Sequence, residues 1–193
     1  PKEHDVAVIM GGPMGVYQDD IFPWFKDEIK YAEDRLNHEL PILGVCLGSQ
    51  IMATALGSKV YKGEQGAELG WLPVDVNEAG QKTPVAHFDR SLTSMMHWHG
   101  DTYALPQGAT LLASTDKYKV QAYGFGKNAL AVQFHPEMTG EVLEEWIMVG
   151  DFYHIEKHIC PLPEFRAQIR QYAQTLRTQT HKFFNQWLDE VSG

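Results

Sequence analysis

The sequence predicts a single α/β domain with a mostly parallel sheet, helices on both faces and added antiparallel strands. Residues 6–10 and 42–45 are continuous apolar runs, as expected for strands that are buried on both faces. A helical pattern over 49–56 follows the second run. Together with the helix predicted between the two runs, this order indicates a right-handed parallel βαβ unit. That intervening helix, over 22–38, has apolar side chains at helical spacing, namely Phe25, Ile29, Ala32 and Leu36.

Residues 43–50 read Leu-Gly-Val-Cys-Leu-Gly-Ser-Gln and place Cys46 in a turn between a strand and a helix. Small residues on either side of such a turn allow a strained backbone to fit between the two elements. The helix directs its free N–H groups and the positive end of its dipole toward the sulfur, which favours the thiolate. Cys46 is therefore a candidate nucleophile.

Residues 60–134 contain short strand-like runs that are separated by Gly, Pro, Asn and Asp. Several of them are expected to be antiparallel strands at one side of the sheet, at 69–76, 85–88, 95–99, 110–113, 120–125 and 130–134. Helical patterns return at 141–153 and from Glu164 onward. The predicted domain spans residues 1–193 with a helical extension over about 141–193. The last helix is expected to cover the sheet or a homodimer interface with Phe165, Ile169, Tyr172, Leu176, Phe183 and Trp187.

The composition argues against several classes of protein. A chain of 193 residues with 44% hydrophobic content can bury one sizeable core. A net charge of -9 argues against a nucleic-acid surface, and no apolar run is long enough to span a bilayer. The first residues lack a signal-peptide pattern, and Cys46 and Cys160 alone do not suggest a disulfide framework. We therefore expect a soluble, cytoplasmic protein.

A second chemical signal follows the apolar run that ends at Phe134. His135 and Glu137 flank Pro136, which ends the strand, so both residues are expected at the same sheet edge as Cys46. A thiol nucleophile needs a base that takes up its proton, and imidazole serves this purpose near neutral pH. A carboxylate two residues later can orient the imidazole and stabilise its charged form. Cys46, His135 and Glu137 together form a candidate catalytic triad.

Each of these motifs alone also has a structural explanation. A cysteine after an apolar strand is often a small buried hydrophobe, and a histidine before proline often ends a strand. The loop Gly11-Gly12-Pro13 lies at the carboxyl end of the first strand, where ligands bind in α/β sheets, yet glycine-rich turns are common. The combination of motifs favours chemistry, whereas no single motif does.

Two pairs of histidines are candidates for metal binding. His97 and His99 alternate along one strand and share a face, but the sequence shows no neighbouring carboxylate pattern. His154 and His158 share a helix face but lack the glutamate of the HExxH motif. Packing in the first case and a solvated face in the second are the favoured interpretations, so no metal or cofactor is predicted.

The stretches at 44–50 (GVCLGSQ), 134–137 (FHPE) and 11–13 (GGP) resemble, in order and spacing, the motifs of class I, triad-type glutamine amidotransferases. The likeness is strongest to stand-alone proteins similar to the glutaminase domain of GMP synthase. It extends to 68–71 (ELGW) and 99–101 (HGD) and covers roughly residues 5–140. The resemblance implies a three-layer, flavodoxin-like fold.

The resemblance also implies a role for each matching residue. Cys46 would attack the side-chain amide of L-glutamine and form a γ-glutamyl thioester, with His135 as base and then acid, oriented by Glu137. The backbone N–H groups of Gly12 and Leu47 would form the oxyanion hole. The side chains expected to hold the polar end of the substrate are Gln50, Trp98, His99 and Asp101, and Asp101 would pair with the ammonium group.

Three departures from the family pattern bear on function. Family members usually carry a further strand-helix-strand unit of about forty residues before residue 6, and its absence would leave the strand of Cys46 without an expected neighbour. Trp98 stands where GMP synthases usually carry serine. No ATP-pyrophosphatase motif follows Glu137, so a separate synthetase partner would be needed to use the ammonia.

Three functions are therefore considered. The favoured one is a glutaminase that releases ammonia for a separate acceptor enzyme. A γ-glutamyl peptidase is the alternative if the pocket is open beyond the amide nitrogen. A weakly catalytic regulatory subunit of a synthetase is the third. None of the three requires contact with nucleic acid or membrane.

Overall fold

A computed structural model describes residues 4–192, and its central feature is a six-stranded mixed sheet. The strands are β1 (Ala7–Ile9), β2 (Ile42–Val45), β3 (Val60–Lys62), β4 (Glu68–Leu72), β5 (Asp75–Val76), β6 (Met95–His99), β7 (Asp101–Tyr103), β8 (Thr110–Ser114), β9 (Ala122–Phe125) and β10 (Ala129–Val132). The helices are α1 (Phe25–Asn37), α2 (Leu47–Ala55), α3 (Gly140–Trp146), α4 (Phe152–His158) and α5 (Leu162–Ser192). The strand order of the central sheet is β1-β2-β10-β9-β8-β5.

The pairing changes from parallel to antiparallel at β10. Strands β1, β2 and β10 pair in parallel, whereas β10, β9, β8 and β5 pair antiparallel. The parallel part contains the predicted βαβ unit, and the antiparallel part contains several of the predicted additional strands. The α/β fold, with parallel strands around Cys46, is therefore confirmed.

Strand β2 has a hydrogen-bonded neighbour on each side. Gly44 lies opposite Ile9 of β1 on one side and opposite Ala131 of β10 on the other. The expectation that the strand of Cys46 would lack a neighbour is therefore wrong. Strand β10 comes from a distant part of the sequence, and no local pattern reveals that it pairs beside β2.

A hydrophobic core covers each face of the sheet. Leu43 and Val45 of β2 belong to the core that includes the apolar face of α5, whereas Ile42 belongs to the core of α1 and α2. This division follows the pleat of the strand, in which successive side chains point to opposite faces. Because both faces are covered, every residue of β2 is buried.

Two predicted elements take a different form. Residues 85–88 belong to a 3-10 helix, Pro84–Phe88, and not to a strand. Pro84 suits the first helical position, and the Thr83 hydroxyl accepts a hydrogen bond from the Val85 N–H, so local capping outweighs the apolar run. The helix predicted over 141–153 is divided into α3 and α4 by a π-helical segment, Ile147–Asp151, in which Gly150 has a φ of 125°.

Two short antiparallel ribbons lie outside the central sheet. Strand β3 pairs with β7, and β4 pairs with β6. Helix α5 packs its apolar residues, which include Phe165, Leu176 and Phe183, into the same core as β2. Within residues 4–192, none of the helices combines the length and the apolar character needed to cross a bilayer.

Candidate active site

Cys46 lies in a sharp turn between β2 and α2. Its φ of 51° and ψ of -108° are unusual for a residue with a side chain, and its N–H donates to the Val132 carbonyl at 2.8 Å. A Cβ on Gly48 would lie 2.0 Å from the Ile9 carbonyl oxygen, and one on Gly44 would lie 2.6 Å from the Gly48 carbonyl oxygen. The two glycines therefore permit an approach of helix and strands that no side chain would allow.

His135 meets Cys46 from the carboxyl side of β10. The His135 N–H donates to the Met96 carbonyl at 2.8 Å, which fixes its backbone beside β6. The imidazole Nδ1 lies 2.7 Å from Glu137 Oε1, and a second hydrogen bond joins the ring to the Cys46 side chain. Since Nδ1 faces Glu137, Nε2 is the nitrogen available to the sulfur.

The charge on His135 is favoured by its two partners. Burial alone would lower the pKa of His135. Its hydrogen bonds with Cys46 and Glu137, and the negative charges of both, raise that pKa to about 10. At neutral pH the imidazole is therefore protonated when it faces a thiolate.

The turn that carries Glu137 is fixed by the last helix. The Thr180 hydroxyl of α5 donates to the Pro136 carbonyl at 2.6 Å. The side chain of Glu137 is 26% exposed, and its Oε2 atom is buried without a hydrogen-bond partner among the described residues. Glu137 thus contacts the imidazole through Oε1, whereas Oε2 has no hydrogen-bond partner among the described residues.

The loop after β1 lies against both Cys46 and His135. A Cβ on Gly11 would lie 3.0 Å from His135 Cε1 and 3.3 Å from Cys46 Cβ, and one on Gly12 would lie 3.0 Å from Leu47 Cδ2. Within residues 4–192, neither the Gly12 N–H nor the Leu47 N–H donates a hydrogen bond. Both N–H groups are therefore available to a ligand, and their role in an oxyanion hole stays a prediction.

One cavity of about 830 Å³ brings all the predicted site residues together. The predicted residues that line it are Gly12, Cys46, Leu47, Gln50, Trp98, His99, Asp101, His135 and Glu137. Among the further lining residues that sequence reasoning did not place in the site are Tyr17, Lys62, Trp146 and Asp151. Trp146 belongs to a predicted helix, but nothing in the local pattern shows that the helix turns this side chain toward His135.

Trp98 and Trp146 form an aromatic wall of the cavity beside His135. Their rings meet edge to face with centroids 5.4 Å apart, and Trp146 lies edge to face with His135 at 6.3 Å. On its other side, Trp98 stacks with His154 at 5.3 Å. The wall therefore combines a strand residue with residues of α3 and α4.

Two predicted substrate-binding residues already have protein partners. Gln50 is 3% exposed, and its amide donates to Gln133 Oε1 at 3.2 Å. Asp101 accepts a hydrogen bond of 3.4 Å from the Tyr17 hydroxyl. Contact with substrate stays a prediction for both, and Tyr17 is a further candidate at the same place.

A buried cluster of Glu68, His97 and His99 lies beside the cavity. The register of β4 and β6 puts Glu68 opposite His99, so the expectation that no carboxylate would neighbour these histidines is wrong. Burial and the nearby His99 lower the pKa of His97 to about 3. Burial would raise the pKa of Glu68, but hydrogen bonds with His99 and Thr115 bring it below its usual value.

His154 and His158 occupy an exposed face of α4, as predicted. Their ring centroids are 4.5 Å apart, and His154 also meets Trp98. Neither belongs to a group of three potential ligands among the residues that the structure describes.

Comparison with known proteins gives consistent matches. Residues 1–154 match the family model of class-I glutamine amidotransferases. A glutamine amidotransferase-like protein of Salmonella typhimurium is 32% identical over 152 residues, which is 74% of this chain and 60% of that protein. Gamma-glutamyl peptidase 5 of Arabidopsis thaliana is 30% identical over 149 residues, covering 75% of this chain and 58% of the peptidase.

A longer enzyme and a solved structure also match this chain. GMP synthase of Marinobacter nauticus is 33% identical over 142 residues, covering 68% of this chain and 25% of the synthase. The crystal structure of a glutamine amidotransferase from Thermotoga maritima superposes with a TM-score of 0.87 at 30% identity, covering all of this chain and 80% of that one. The chain spans 60% or less of the length of the first curated relatives.

Proposed function

Because the chain belongs to the class I glutamine amidotransferase family, we propose that it hydrolyses a γ-glutamyl amide through a covalent thioester on Cys46. One observation carries this proposal. Cys46 lies on a strained turn and is hydrogen-bonded to His135, whose other ring nitrogen is 2.7 Å from Glu137. This is the arrangement that an activated thiol nucleophile requires.

The reaction proceeds in two balanced steps. The Cys46 sulfur attacks the amide carbon, and the C–N bond breaks as His135 gives a proton to the leaving nitrogen. Water then attacks the thioester while His135 takes one of its protons. The C–S bond breaks, which restores the thiolate and releases the γ-carboxylic acid, and this acid loses its remaining proton to solvent. The N–H groups of Gly12 and Leu47 bind the oxyanion in each step, and loss of one such donor costs about 3 to 4 kcal/mol in other acyl-transfer enzymes.

L-Glutamine is the proposed substrate, and ammonia the proposed product for a separate acceptor enzyme. The likeness to GMP synthases supports this substrate, since those enzymes are named as glutamine-hydrolysing. A separate synthetase is proposed as the partner that uses the ammonia.

A γ-glutamyl peptidase is the second candidate, and the cavity favours it. A volume of about 830 Å³ lies in the range of about 300–1,000 Å³ that sites for drug-sized ligands occupy. Glutamine has only ten non-hydrogen atoms, so the cavity has room beyond the amide nitrogen. The wall of Trp98 and Trp146 gives an apolar surface for a larger leaving amine.

The covalent step is tested by intact mass spectrometry after incubation with a glutamine-mimicking diazo-ketone. We expect one adduct on the wild-type protein and none on Cys46→Ala. Cys160→Ala is the matched control, because the structure places Cys160 outside the cavity. A folded wild-type protein that forms no adduct would contradict the assignment of Cys46 as the nucleophile.

The two substrate classes are separated by steady-state kinetics with glutamine and with a γ-glutamyl peptide. If the wall binds the leaving amine, Trp146→Ala lowers kcat/KM for the peptide about fivefold and changes the value for glutamine much less, because an aromatic contact is worth roughly 1 kcal/mol. Trp24→Ala is the control, since Trp24 is exposed and does not line the cavity. Equal losses on both substrates would contradict the peptidase assignment of the wall.

A further inference from the structure

We propose that Glu68, His97 and His99 bind a divalent transition-metal ion, for which zinc is the best match. The three residues come from the ribbon of β4 and β6, in which Glu68 pairs with His99 and Gly70 with His97. All three are buried, with exposed fractions of 2%, 0% and 5%. The site is separate from the proposed Cys46 chemistry and does not depend on it.

The spacing of the three ligand atoms fits a metal ion. His99 Nε2 is 3.2 Å from Glu68 Oε2, His97 Nδ1 is 3.5 Å from His99 Nε2, and His97 Nδ1 is 3.9 Å from Glu68 Oε2. The point equidistant from the three atoms is about 2.1 Å from each, which matches Zn–N and Zn–O bonds of about 2.0–2.2 Å.

The hydrogen bonds around the cluster leave its centre with unpaired acceptors. His99 Nδ1 lies 3.1 Å from the Asp101 carbonyl oxygen, which can only accept, so Nδ1 carries a proton. If Nε2 carries no proton, its lone pair faces a carboxylate oxygen of Glu68 at 3.2 Å. A proton on Nε2 would resolve that conflict but leave His97 Nδ1 too far from Glu68 for a hydrogen bond. A metal ion engages all three atoms.

Neighbouring groups form hydrogen bonds that orient the ligands, as they do around the ligands of known metal sites. The Thr115 hydroxyl donates to Glu68 Oε1 at 2.6 Å, and the Gln121 amide donates to Oε2. The bond from His99 to the Asp101 carbonyl fixes the ring and its tautomer. Two imidazoles and one carboxylate favour zinc and similar ions over Mg²⁺ and Ca²⁺, which prefer oxygen ligands.

A route to the cluster and a consequence of binding both follow from its position. His99 lines the large cavity, so an ion can reach the ligands from that side. Binding would link β4 to β6 and fix the turn that leads to Asp101. The inferred ion is therefore a structural one that shapes the cavity wall.

The test uses the full chain without a histidine tag and with Cys46→Ala, so that the thiol cannot bind metal. Metal-free protein is titrated with Co²⁺ and followed by its visible d–d absorption. One equivalent is expected to bind, and Zn²⁺ is expected to displace it. Absence of the band, with no cobalt retained after gel filtration, would overturn the proposal.

Two single substitutions and one control variant test whether the ion binds at this cluster. His97→Phe and Glu68→Gln are each expected to weaken Co²⁺ binding by more than the roughly 10- to 100-fold typical of losing a supporting residue. The double variant His154→Ala and His158→Ala is the control and should keep one equivalent. Loss of binding in that control, or its retention in folded Glu68→Gln, would overturn the assignment. Circular dichroism of each variant shows whether it is folded.

Discussion

His135 and Glu137 are separated by a single proline, and this spacing sets the geometry of the candidate triad. Strand β10 ends at Val132, and in the segment that follows it the side chains of His135 and Glu137 lie on one side of Pro136, within hydrogen-bonding distance of each other. The Thr180 hydroxyl holds the Pro136 carbonyl from α5, which fixes the turn. The imidazole is therefore oriented from both sides, by Glu137 and by the Met96 carbonyl that holds its backbone.

The charge of Glu137 is expected to matter more than its size. Glu137→Gln keeps the shape but removes the negative charge that stabilises the imidazolium. We expect kcat for glutamine hydrolysis to fall by about 10²- to 10⁴-fold, the usual contribution of acid–base catalysis. Glu141→Gln is the control, since Glu141 is exposed and outside the cavity. A Glu137→Gln enzyme with wild-type kcat would show that the carboxylate has no catalytic role.

The raised pKa of His135 predicts how stability depends on pH. The imidazole has a pKa of about 10 in the folded protein against about 6.5 in the unfolded chain. Its contribution to the free energy of unfolding is therefore full below about pH 6.5 and is lost as the pH rises through about 10.

Urea unfolding of wild type and His135→Gln between pH 7 and pH 10 measures this dependence. The advantage of wild type should shrink steadily over that interval, because His135→Gln has no proton to lose at this position. A constant or growing advantage would mean that the imidazole is not held in its charged form.

At the scale of elements, the site depends on how closely α2 approaches β1 and β2. Gly44 and Gly48 face each other across the turn, and Gly48 also touches the backbone of Ile9. The same approach sets the Leu47 side chain beside Gly12. Packing of three elements, and not the turn alone, therefore sets the surroundings of the predicted oxyanion hole.

Gly48→Ala is expected to disturb this packing. Its Cβ would lie 2.0 Å from a backbone oxygen that cannot move independently of β1. We expect a loss of about 3 kcal/mol in the free energy of unfolding, at the upper end of the range for overpacking. Denaturant unfolding measures it.

Gly124→Ala is the matched control for Gly48→Ala. Its Cβ would meet Leu112 Cδ1 at 3.6 Å, an ordinary contact, so its effect should be small. Similar losses in the two variants would contradict the role assigned to the close approach.

Sequence reasoning was most successful where the pattern is local. The periodicity of α1 and the apolar run of β2 were both interpreted correctly. The 3-10 helix Pro84–Phe88 was mistaken for a strand, because capping by Thr83 decided between two conformations that an apolar run permits. The carboxylate beside His97 and His99 was missed because Glu68 reaches it only through strand register.

At the scale of the whole molecule, α5 links the hydrophobic core to the candidate active site. Its buried face completes the core beneath β2, and its Thr180 fixes the turn of the triad. Phe183 of this helix is fully buried and stacks on Phe88 with centroids 4.6 Å apart. We therefore expect residues 4–192 to unfold as one cooperative unit that includes the helical extension.

Phe183→Ala tests whether the buried face of α5 stabilises the whole domain. We expect a loss of about 3 to 5 kcal/mol in the free energy of unfolding, the usual cost of truncating a buried phenylalanine. Leu188→Ala, on the exposed side of the same helix, should change it by less than about 1 kcal/mol.

Cooperativity is checked by two probes on the same variants. Far-ultraviolet circular dichroism and protection of Cys46 from alkylation should be lost in one transition. A separate early transition that leaves Cys46 protected would divide the extension from the rest of the domain.

The sequence by itself determined the α/β class, the turn that carries Cys46 and the pairing of His135 with Glu137. These features depend on residues close together in the chain, where periodicity, glycine and proline act locally. Only the tertiary structure decided that β10 lies beside β2, that Trp146 forms a wall of the cavity and that Glu68 joins two histidines. Those contacts join distant parts of the chain, and their register is set by packing that no short stretch of sequence encodes.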